Sequence, residues 1–245
     1  LDANGLQEVG LSPGETQSWY RFDQWGYARA IVDDREALKN LDLMTSHSFT
    51  FLDEVNSVYY GDFRSTGQDL VHRFRPEIPV WITSRPWAKG PDFVENMRRD
   101  IYECKANGLI PWALISGDRE WLGSDGEYKD GSMDKAFSIH RDGSLTVNEH
   151  YYYYKQVTRA GQPGMQVAEV INFDPGLGVI AFKAGSAEQQ DAFVLVNKTE
   201  KAKNVNIRVH GATDKFTAFR TMARENYREI GTFFADDGLI SYACP

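Results

Sequence analysis

Short apolar runs recur along the first half of the chain, and each one ends in small or polar residues before a helix-like segment. The runs begin roughly 30 to 37 residues apart and span Glu8–Ser12, Leu41–His47, Ile78–Ser84 and Leu109–Ser116. Strands of a parallel sheet are buried on both faces and therefore read as continuous apolar runs. The pattern and its spacing predict four βα units of a parallel sheet.

The segments between these runs repeat their apolar residues at helical spacing. The clearest one starts near Pro91, which suits a first helical turn, and repeats at Phe93, Met97, Ile101 and Cys104. We expect Gly108 to supply its left-handed C-terminal cap. Further helices are predicted over Trp19–Asp33 with a short continuation to Asn40, over Thr66–Phe74, and over Val147–Ala160, ended by Gly161.

After Gly161 the pattern changes to a period of two, and short runs are bounded by Gly, Asp, Asn or Pro. These runs are Gln166–Ile171, Val179–Lys183, Ala192–Asn197, the alternating Val205–Val209, Phe216–Thr221 and Gly238–Cys244. Such a series is typical of an antiparallel β-sandwich. The turn sequence Gln162-Pro163-Gly164 predicts the boundary, with βα units over residues 1–161 and the sandwich over residues 162–245.

Four βα units amount to half of a (β/α)8 TIM barrel. Four strands cannot close on themselves, and their unpaired edges would remain exposed. The chain also begins at Leu1 rather than at Met. We therefore expect the N-terminal half of the barrel in a longer parent chain or in a partner chain, and we expect residues 1–245 alone to be poorly soluble or oligomeric.

Composition and charge limit the classes of partner that this chain is expected to bind. The net charge is −8, and the longest Lys/Arg cluster is the pair Arg98-Arg99, which argues against a nucleic acid. No apolar stretch approaches the ~20 residues that a membrane span requires. Aromatic residues make up 13% of the chain, a surplus that suits stacking on sugar rings as well as filling cores. Cys104 and Cys244 are predicted to stay unpaired.

Active sites of βα barrels form at the C-terminal ends of the strands, so the residues that close the apolar runs are the candidate site. Polar and aromatic residues are concentrated there: Glu15, His47, Ser84, Trp112, Asp118, Glu120 and Trp121. A residue that closes a strand is otherwise often only the start of a loop.

Several segments of the chain resemble glycoside hydrolase family 30 and its clan relatives. DDREALKNLDLMTSHSF, within Asp33–Phe51, resembles the passage into barrel strand six, and PVWITS, Pro79–Ser84, resembles strand seven. YYYYKQVTRAGQPG, Tyr151–Gly164, is similar to the last barrel helix and the turn into the sandwich. AFVLVNKT, Ala192–Thr199, and the later Phe219-Arg220-Thr221 are similar to sandwich strands. The resemblance runs in order over nearly the whole chain.

The resemblance implies a retaining glycoside hydrolase that acts on a β-linked polysaccharide or oligosaccharide and is secreted to the extracellular space or the periplasm. It implies that this chain holds strands five to eight of the barrel, and that another sandwich strand follows Pro245. Retaining enzymes of this kind use two carboxylates about 5–5.5 Å apart. By the resemblance, the acid/base closes strand four upstream of Leu1, and the nucleophile closes strand seven.

The position that the resemblance assigns to the nucleophile reads Ser84. A serine hydroxyl has no negative charge to stabilise an oxocarbenium-like transition state, and the cation of Arg85 beside it would oppose the developing positive charge. Three explanations stay open: a substitution that traps substrate, a natural variant that uses another carboxylate or only binds sugar, and a different register. The alternative function is a non-catalytic carbohydrate-binding pseudo-enzyme. A structural cell-surface protein is a third possibility, and it predicts no affinity for glycans.

Other carboxylates and one histidine are candidates for the site. Glu15 follows the tight Ser12-Pro13-Gly14 turn, which can aim it into the barrel mouth, or it caps the helix that begins near Trp19. Asp118 and Glu120 either take part in the site or are solvated. By the resemblance His47 lines the sugar subsite; otherwise it is a satisfied core histidine.

Tryptophans at the strand ends are candidate platforms for sugar rings, because an indole face is flat and apolar. These are Trp87, Trp112 and Trp121, whereas Trp81 alternates away from Ile82 and is expected to pack behind the barrel.

The loop 117–144 is expected to wall one side of the cleft. Its Asp142-Gly143 pair predicts a hairpin between Phe137–His140 and Leu145–Val147. Its acidic residues lack the spacing of an EF-hand, and no metal or other cofactor is expected.

Overall fold

The computed structural model describes residues 4–6, 9–47, 63–117, 135–210 and 214–245. The chain divides into two compact units. The first comprises Leu1–Trp87 and Arg99–Leu114, and the second comprises Ala88–Arg98 and Ile115–Pro245. Each unit takes two pieces of the chain, and the boundary predicted near Gln162 stays a prediction.

The first unit is built of helices on a small parallel sheet. Its helices are α1 (Trp19–Gln24), α2 (Tyr27–Asp33), α3 (Arg35–Lys39), α4 (Thr66–His72) and the last turn of α5 (Pro91–Tyr102). Its strands are β1 (Met44–Ser46), β2 (Val80–Pro86) and β3 (Gly108–Trp112). They pair in the order β1-β2-β3 and run parallel. The predicted parallel βα arrangement is confirmed for these three strands.

One face of this sheet is closed by apolar side chains from the helices. Trp19 and Phe22 of α1 meet edge to face and pack in one buried cluster with Met44, Val80 and Ile82 of the sheet. Burying a side chain of this size contributes about 1.5–3 kcal/mol. The helix-covered face therefore holds the first unit together.

The opposite face of the sheet is open within the described residues. Trp81 pairs with Gly108, and alternation puts Ile110 and Trp112 on the same face as Gly108. Trp81, Ile110 and Trp112 are 40%, 48% and 58% exposed. The expectation that Trp81 packs on the helix-covered side is wrong, because Val80 and Ile82 take that side of β2.

The first predicted strand is reduced to isolated bridges in the described part of Glu8–Ser12 and just beyond it. Leu11 pairs with Leu41 and Thr16 pairs with Ser46, both in parallel. Between them Pro13 has no N–H to donate and Gly14 adopts a φ of +100°, so a continuous ladder cannot form. The two bridges still align this segment beside β1.

Two glycines explain where predicted helix boundaries differ from the structure. The helix predicted over Trp19–Asp33 is divided into α1 and α2 because Gly26 has a φ of +81°. α5 begins at Pro91 as predicted, but the left-handed residue after it is Lys105, so the cap predicted at Gly108 is wrong. Gly108 instead opens β3, where a Cβ would lie 2.5 Å from the Trp81 ring.

The second unit contains the start of α5, one further helix and ten strands among the described residues. The helix is α6 (Glu149–Ala160), and the first strands are β4 (Ile115–Gly117), β5 (Phe137–Ile139) and β6 (Leu145–Val147). The remaining strands are β7 (Gln166–Ala168), β8 (Leu177–Lys183), β9 (Ala192–Asn197), β10 (Lys203–Arg208), β11 (Lys215–Met222), β12 (Glu225–Phe234) and β13 (Leu239–Cys244).

Strand pairing in the second unit is mainly antiparallel, as the period-two pattern predicts. The sheet orders are β4-β5-β6, β7-β8-β9, β10-β13 and β11-β12, and only β4 pairs with β5 in parallel among these described strands. The hairpin predicted at Asp142-Gly143 is confirmed, with Gly143 at a φ of +82°. The run predicted as one strand, Leu109–Ser116, is divided between β3 and β4.

α6 covers the antiparallel strands of the second unit. The Gln156 side chain donates to the Phe219 carbonyl over 2.8 Å and accepts from the Thr221 hydroxyl over 2.9 Å. A cavity of about 550 Å³ lies between this helix and the strands, lined by aromatic side chains such as Phe193 and Phe216. These contacts fix α6 on the strand layer through polar as well as apolar groups.

Both cysteines are buried, and no disulfide joins them in the described part of the chain. Cys104 belongs to the core of the first unit, and Cys244 ends β13 in the second. Burial raises the pKa of both thiols. The reactive thiolate is therefore scarce at neutral pH.

Candidate active site

Three polar side chains meet where successive parallel segments of the first unit end. Glu15 stands one residue before the Thr16–Ser46 bridge, and His47 follows β1 directly. The backbone N–H of His47 donates to the Thr16 carbonyl over 2.9 Å, which sets the two residues side by side. The His47 ring pairs with the Glu15 carboxylate through Nε2. The Thr83 hydroxyl of β2 donates to the Ser46 carbonyl at the end of β1 over 3.4 Å, and Thr83 also lowers the pKa of the Glu15 carboxyl.

This arrangement keeps Glu15 ionised. The hydrogen bond from Thr83 lowers the pKa of the Glu15 carboxyl, partial burial opposes that effect, and the hydrogen bond and charge of His47 lower it further. A general acid needs a raised pKa, whereas a nucleophile or an anionic stabiliser needs the ionised form. The geometry therefore suits Glu15 to the second kind of role.

Two alternative interpretations of these residues are excluded by their contacts. The N-cap of α1 is Ser18, whose side chain accepts from the Arg21 N–H, so Glu15 does not cap this helix. The His47 side chain is 27% exposed and pairs with a carboxylate that is 44% exposed, so His47 is not a core histidine. Sequence reasoning found both residues, but it missed Thr83, which lies inside a strand.

Ser84 follows Thr83 in β2 and is 7% exposed. The sequence predicts that the strand ends at Ser84, but in the structure it continues to Pro86. Its register against β3 shifts between Ile82 and Arg85, so the chain bulges at Thr83 and Ser84. Ser84 thus lies next to the cluster of Glu15, His47 and Thr83.

Arg85 turns away from this cluster and is buried. Its guanidinium binds the carboxylate of Asp100 on α5 with two hydrogen bonds, one of 2.9 Å from Nε. The two side chains are 5% and 0% exposed. The Phe63 ring lies 5.1 Å from the Arg85 guanidinium carbon. Sequence reasoning did not detect this pair, because its members belong to different elements.

The predicted sugar platforms have different surroundings. Trp112 is 58% exposed and lies on the open face of the sheet, where its indole is available to a ligand. Trp87 is 6% exposed, and its indole N–H donates to the Ala113 carbonyl over 2.9 Å. The structure therefore gives Trp87 a packing contact rather than an open face.

Asp118, Glu120 and Trp121 lie outside the described residues, as does most of the loop 117–144. Within the part of the chain that the structure describes, no group of three or more His, Cys, Asp or Glu side chains is arranged to hold a metal ion. No helix in the same residues is long and apolar enough to cross a membrane.

Comparisons with known proteins identify the fold. No protein-family model matches the sequence, and no curated protein matches it. A GH30 endoxylanase from Clostridium papyrosolvens C71 matches the structure with a TM-score of 0.72 at 14% identity, over 98% of this chain and 55% of that chain. The catalytic domain of GH30 xylanase C from Talaromyces cellulolyticus matches with a TM-score of 0.70 at 13% identity, over 100% of this chain and 51% of that chain. The chain has a GH30-related fold.

A conserved exported protein from Bacteroides fragilis matches less well, with a TM-score of 0.50 at 14% identity over 84% of this chain and 45% of that chain. At such identities a GH30-related fold describes architecture and not chemistry. The chain spans about half the length of the structures it matches. The family resemblance of the sequence motifs is confirmed at the level of the fold.

Proposed function

We propose that this chain is part of a retaining glycoside hydrolase that acts on a β-linked polysaccharide or oligosaccharide. In this proposal residues 1–161 supply strands five to eight of a (β/α)8 barrel and residues 162–245 supply a β-sandwich. The observation that carries the proposal is the cluster of Glu15, His47 and Thr83 at the ends of parallel segments in a GH30-related fold. Because both GH30 matches are xylanases, xylan is the first substrate to test.

Glu15 is the carboxylate that this chain offers in place of the missing nucleophile. Its lowered pKa supports an ionised group at neutral pH, and Thr83, the residue that precedes Ser84, is the first of the groups that lower it. An ionised carboxylate there attacks the anomeric carbon or stabilises its developing positive charge. The proton for the leaving group comes from an acid/base in the other half of the barrel.

The open face of the sheet supports the proposal that the other half of the barrel covers it. Trp81, Ile110 and Trp112 expose apolar side chains on the same face of β2 and β3. Exposed apolar surface of this kind marks an interaction surface or a liability for aggregation. We propose that the missing half belongs to a parent chain or a partner chain, and that the protein acts outside the cell or in the periplasm.

The decisive experiment is hydrolysis of xylan and of a panel of other β-glycans by the full-length protein, in which the other half of the barrel is present, and by its Ser84→Glu and Glu15→Gln variants. If Glu15 serves the reaction, the unaltered protein hydrolyses one of the glycans and Glu15→Gln loses that activity by 10²-fold or more. If hydrolysis appears only with Ser84→Glu, position 84 is the nucleophile position and the natural chain does not hydrolyse its glycan. No hydrolysis by any of the three proteins would overturn the glycosidase proposal.

A carbohydrate-binding pseudo-enzyme is the second candidate, and the neutral, buried Ser84 favours it. In this case the aromatic and polar groups of the cleft bind a glycan that is never cleaved. Calorimetric titration with xylohexaose then shows binding by the protein and a loss of binding in Trp112→Ala. A separate assay detects no new reducing ends after long incubation. Hydrolysis by the unaltered protein would exclude this candidate.

A further inference from the structure

The charge of Arg85 poses a problem for a site in which positive charge develops on a sugar. In a regular strand, residues two apart share a face, so Thr83 and Arg85 would point the same way. The Thr83 hydroxyl donates over 3.4 Å to the carbonyl of Ser46, which precedes His47, the partner of the Glu15 carboxylate. Without a departure from regular geometry, the guanidinium would lie beside that carboxylate as well.

The departure is the one-residue bulge in β2. Ile82 pairs with Leu109 and Arg85 pairs with Pro111, so three steps along β2 match two steps along β3. The extra residue rotates Arg85 to the side of the sheet that Ile82 occupies. Thr83 stays bonded to the end of β1 beside Glu15 and His47, and Arg85 is directed at Asp100.

Asp100 lies on the helix-covered side of the sheet. It belongs to the last turn of α5, and Cys104, four residues later, is a member of the same core cluster as Val80 and Ile82. The backbone N–H of Ala106, another member of that cluster, donates to the Asp100 carbonyl over 3.0 Å, so the pair borders that core. The bulge and the ion pair thus keep the Arg85 guanidinium away from the strand ends.

We infer that the buried Arg85–Asp100 pair is a positioning pair for the strand-end site: it holds the bulge of β2, directs Thr83 to Glu15, and withdraws the guanidinium from the place where the sugar binds. A buried guanidinium without its carboxylate is unstable, because burying an unpaired charge is costly. Without Asp100, Arg85 leaves the core, the bulge relaxes towards regular alternation, and the guanidinium competes with His47 for Glu15. The consequence for sugar binding rests on the proposed function.

The test uses the ¹⁵N NMR signals of the His47 ring and titration with xylohexaose. In Asp100→Asn we expect the His47 signals to shift and the affinity for xylohexaose to fall about tenfold, as Arg85 displaces His47 from Glu15. The double variant Arg85→Met/Asp100→Leu removes the guanidinium as well, and an apolar side chain at position 85 still favours the buried side. Its His47 signals are expected to return to those of the unaltered protein.

The matched control is Asp69→Asn, which removes the carboxylate of an exposed ion pair with Lys105 in the same unit. It should leave both the His47 signals and the affinity unchanged. A pair that serves stability alone would lower the melting temperature in Asp100→Asn without moving the His47 signals of the folded protein, and that result would overturn the inference.

Two further outcomes keep the test decisive. If Asp100→Asn does not fold, the double variant decides, and displaced His47 signals in its folded form would overturn the inference. If the unaltered protein binds no β-glycan while the His47 signals follow the expected pattern, the proposed function fails and the positioning role stands.

Discussion

At the residue scale, Thr83 is the neighbour expected to influence the pKa of Glu15 most. It is the largest of the influences that lower the pKa of this carboxyl, ahead of those of His47. Replacing it by the isosteric valine removes the donor without opening a cavity. We expect Thr83→Val to raise the pKa of Glu15, observed by ¹³C NMR of the side-chain carboxyl. Thr146→Val, which removes a hydroxyl bonded to His140, is the control that should leave Glu15 unchanged.

The same pKa shift has a consequence for stability. Because folding lowers the pKa of Glu15 below its ordinary value of 4.5, its contribution is fully present above that pH and is lost as the pH falls through the folded-state pKa. The side chain is 44% exposed, so we expect Glu15→Gln to destabilise the protein by less than about 1 kcal/mol at pH 7. Urea unfolding at pH 7 and pH 3 measures the difference. A difference that grows at pH 3 would contradict this assignment.

Sequence reasoning selected residues that the structure brings together where one rule applied, and it missed residues whose contacts are long-range. The rule that barrel sites follow strand ends selected Glu15 and His47, and the structure brings these two residues together. Thr83 escaped because a threonine within a strand looks like a β-former. Asp100 escaped because its role depends on Arg85, fifteen residues away on another element.

At the scale of elements, the pairing of β2 with β3 leaves no room for a side chain at Gly108. A Cβ on Gly108 would lie 2.5 Å from the indole of Trp81 on the neighbouring strand. We expect Gly108→Ala to destabilise the protein by about 1–3 kcal/mol through this clash. Chemical denaturation measures the loss. In a Trp81→Ala background, Gly108→Ala should lower the free energy of unfolding much less. An equal loss in both backgrounds would exclude the clash as its cause.

Elements with a strong period were predicted well, and those with broken periods were not. The strand Ala192–Asn197 has the bounds that its apolar run predicts, and α5 begins at the predicted proline. β12, Glu225–Phe234, was missed because charged residues and Gly231 interrupt its alternation. The first predicted strand failed for a related reason, because a proline and a left-handed glycine follow it.

At the scale of the whole molecule, the open face of the sheet is expected to govern association. Ile110 and Leu114 are 48% and 63% exposed on the first unit. We expect residues 1–245 alone to form oligomers, and Ile110→Asn to increase the monomer fraction in sedimentation velocity. Leu145→Asn, at a side chain 53% exposed in the second unit, is the matched control that should change little. A sharp monomer with cooperative unfolding in the unaltered chain would contradict this expectation.

The two buried cysteines provide natural probes of local opening, one for each unit. The sequence has two cysteines, one in the core of each unit. A thiol reagent added to the native protein can modify either one only after its surroundings part, since burial suppresses the thiolate. Mass spectrometry of the modified peptides would therefore report the local opening of each unit separately, in a single experiment and without an engineered label.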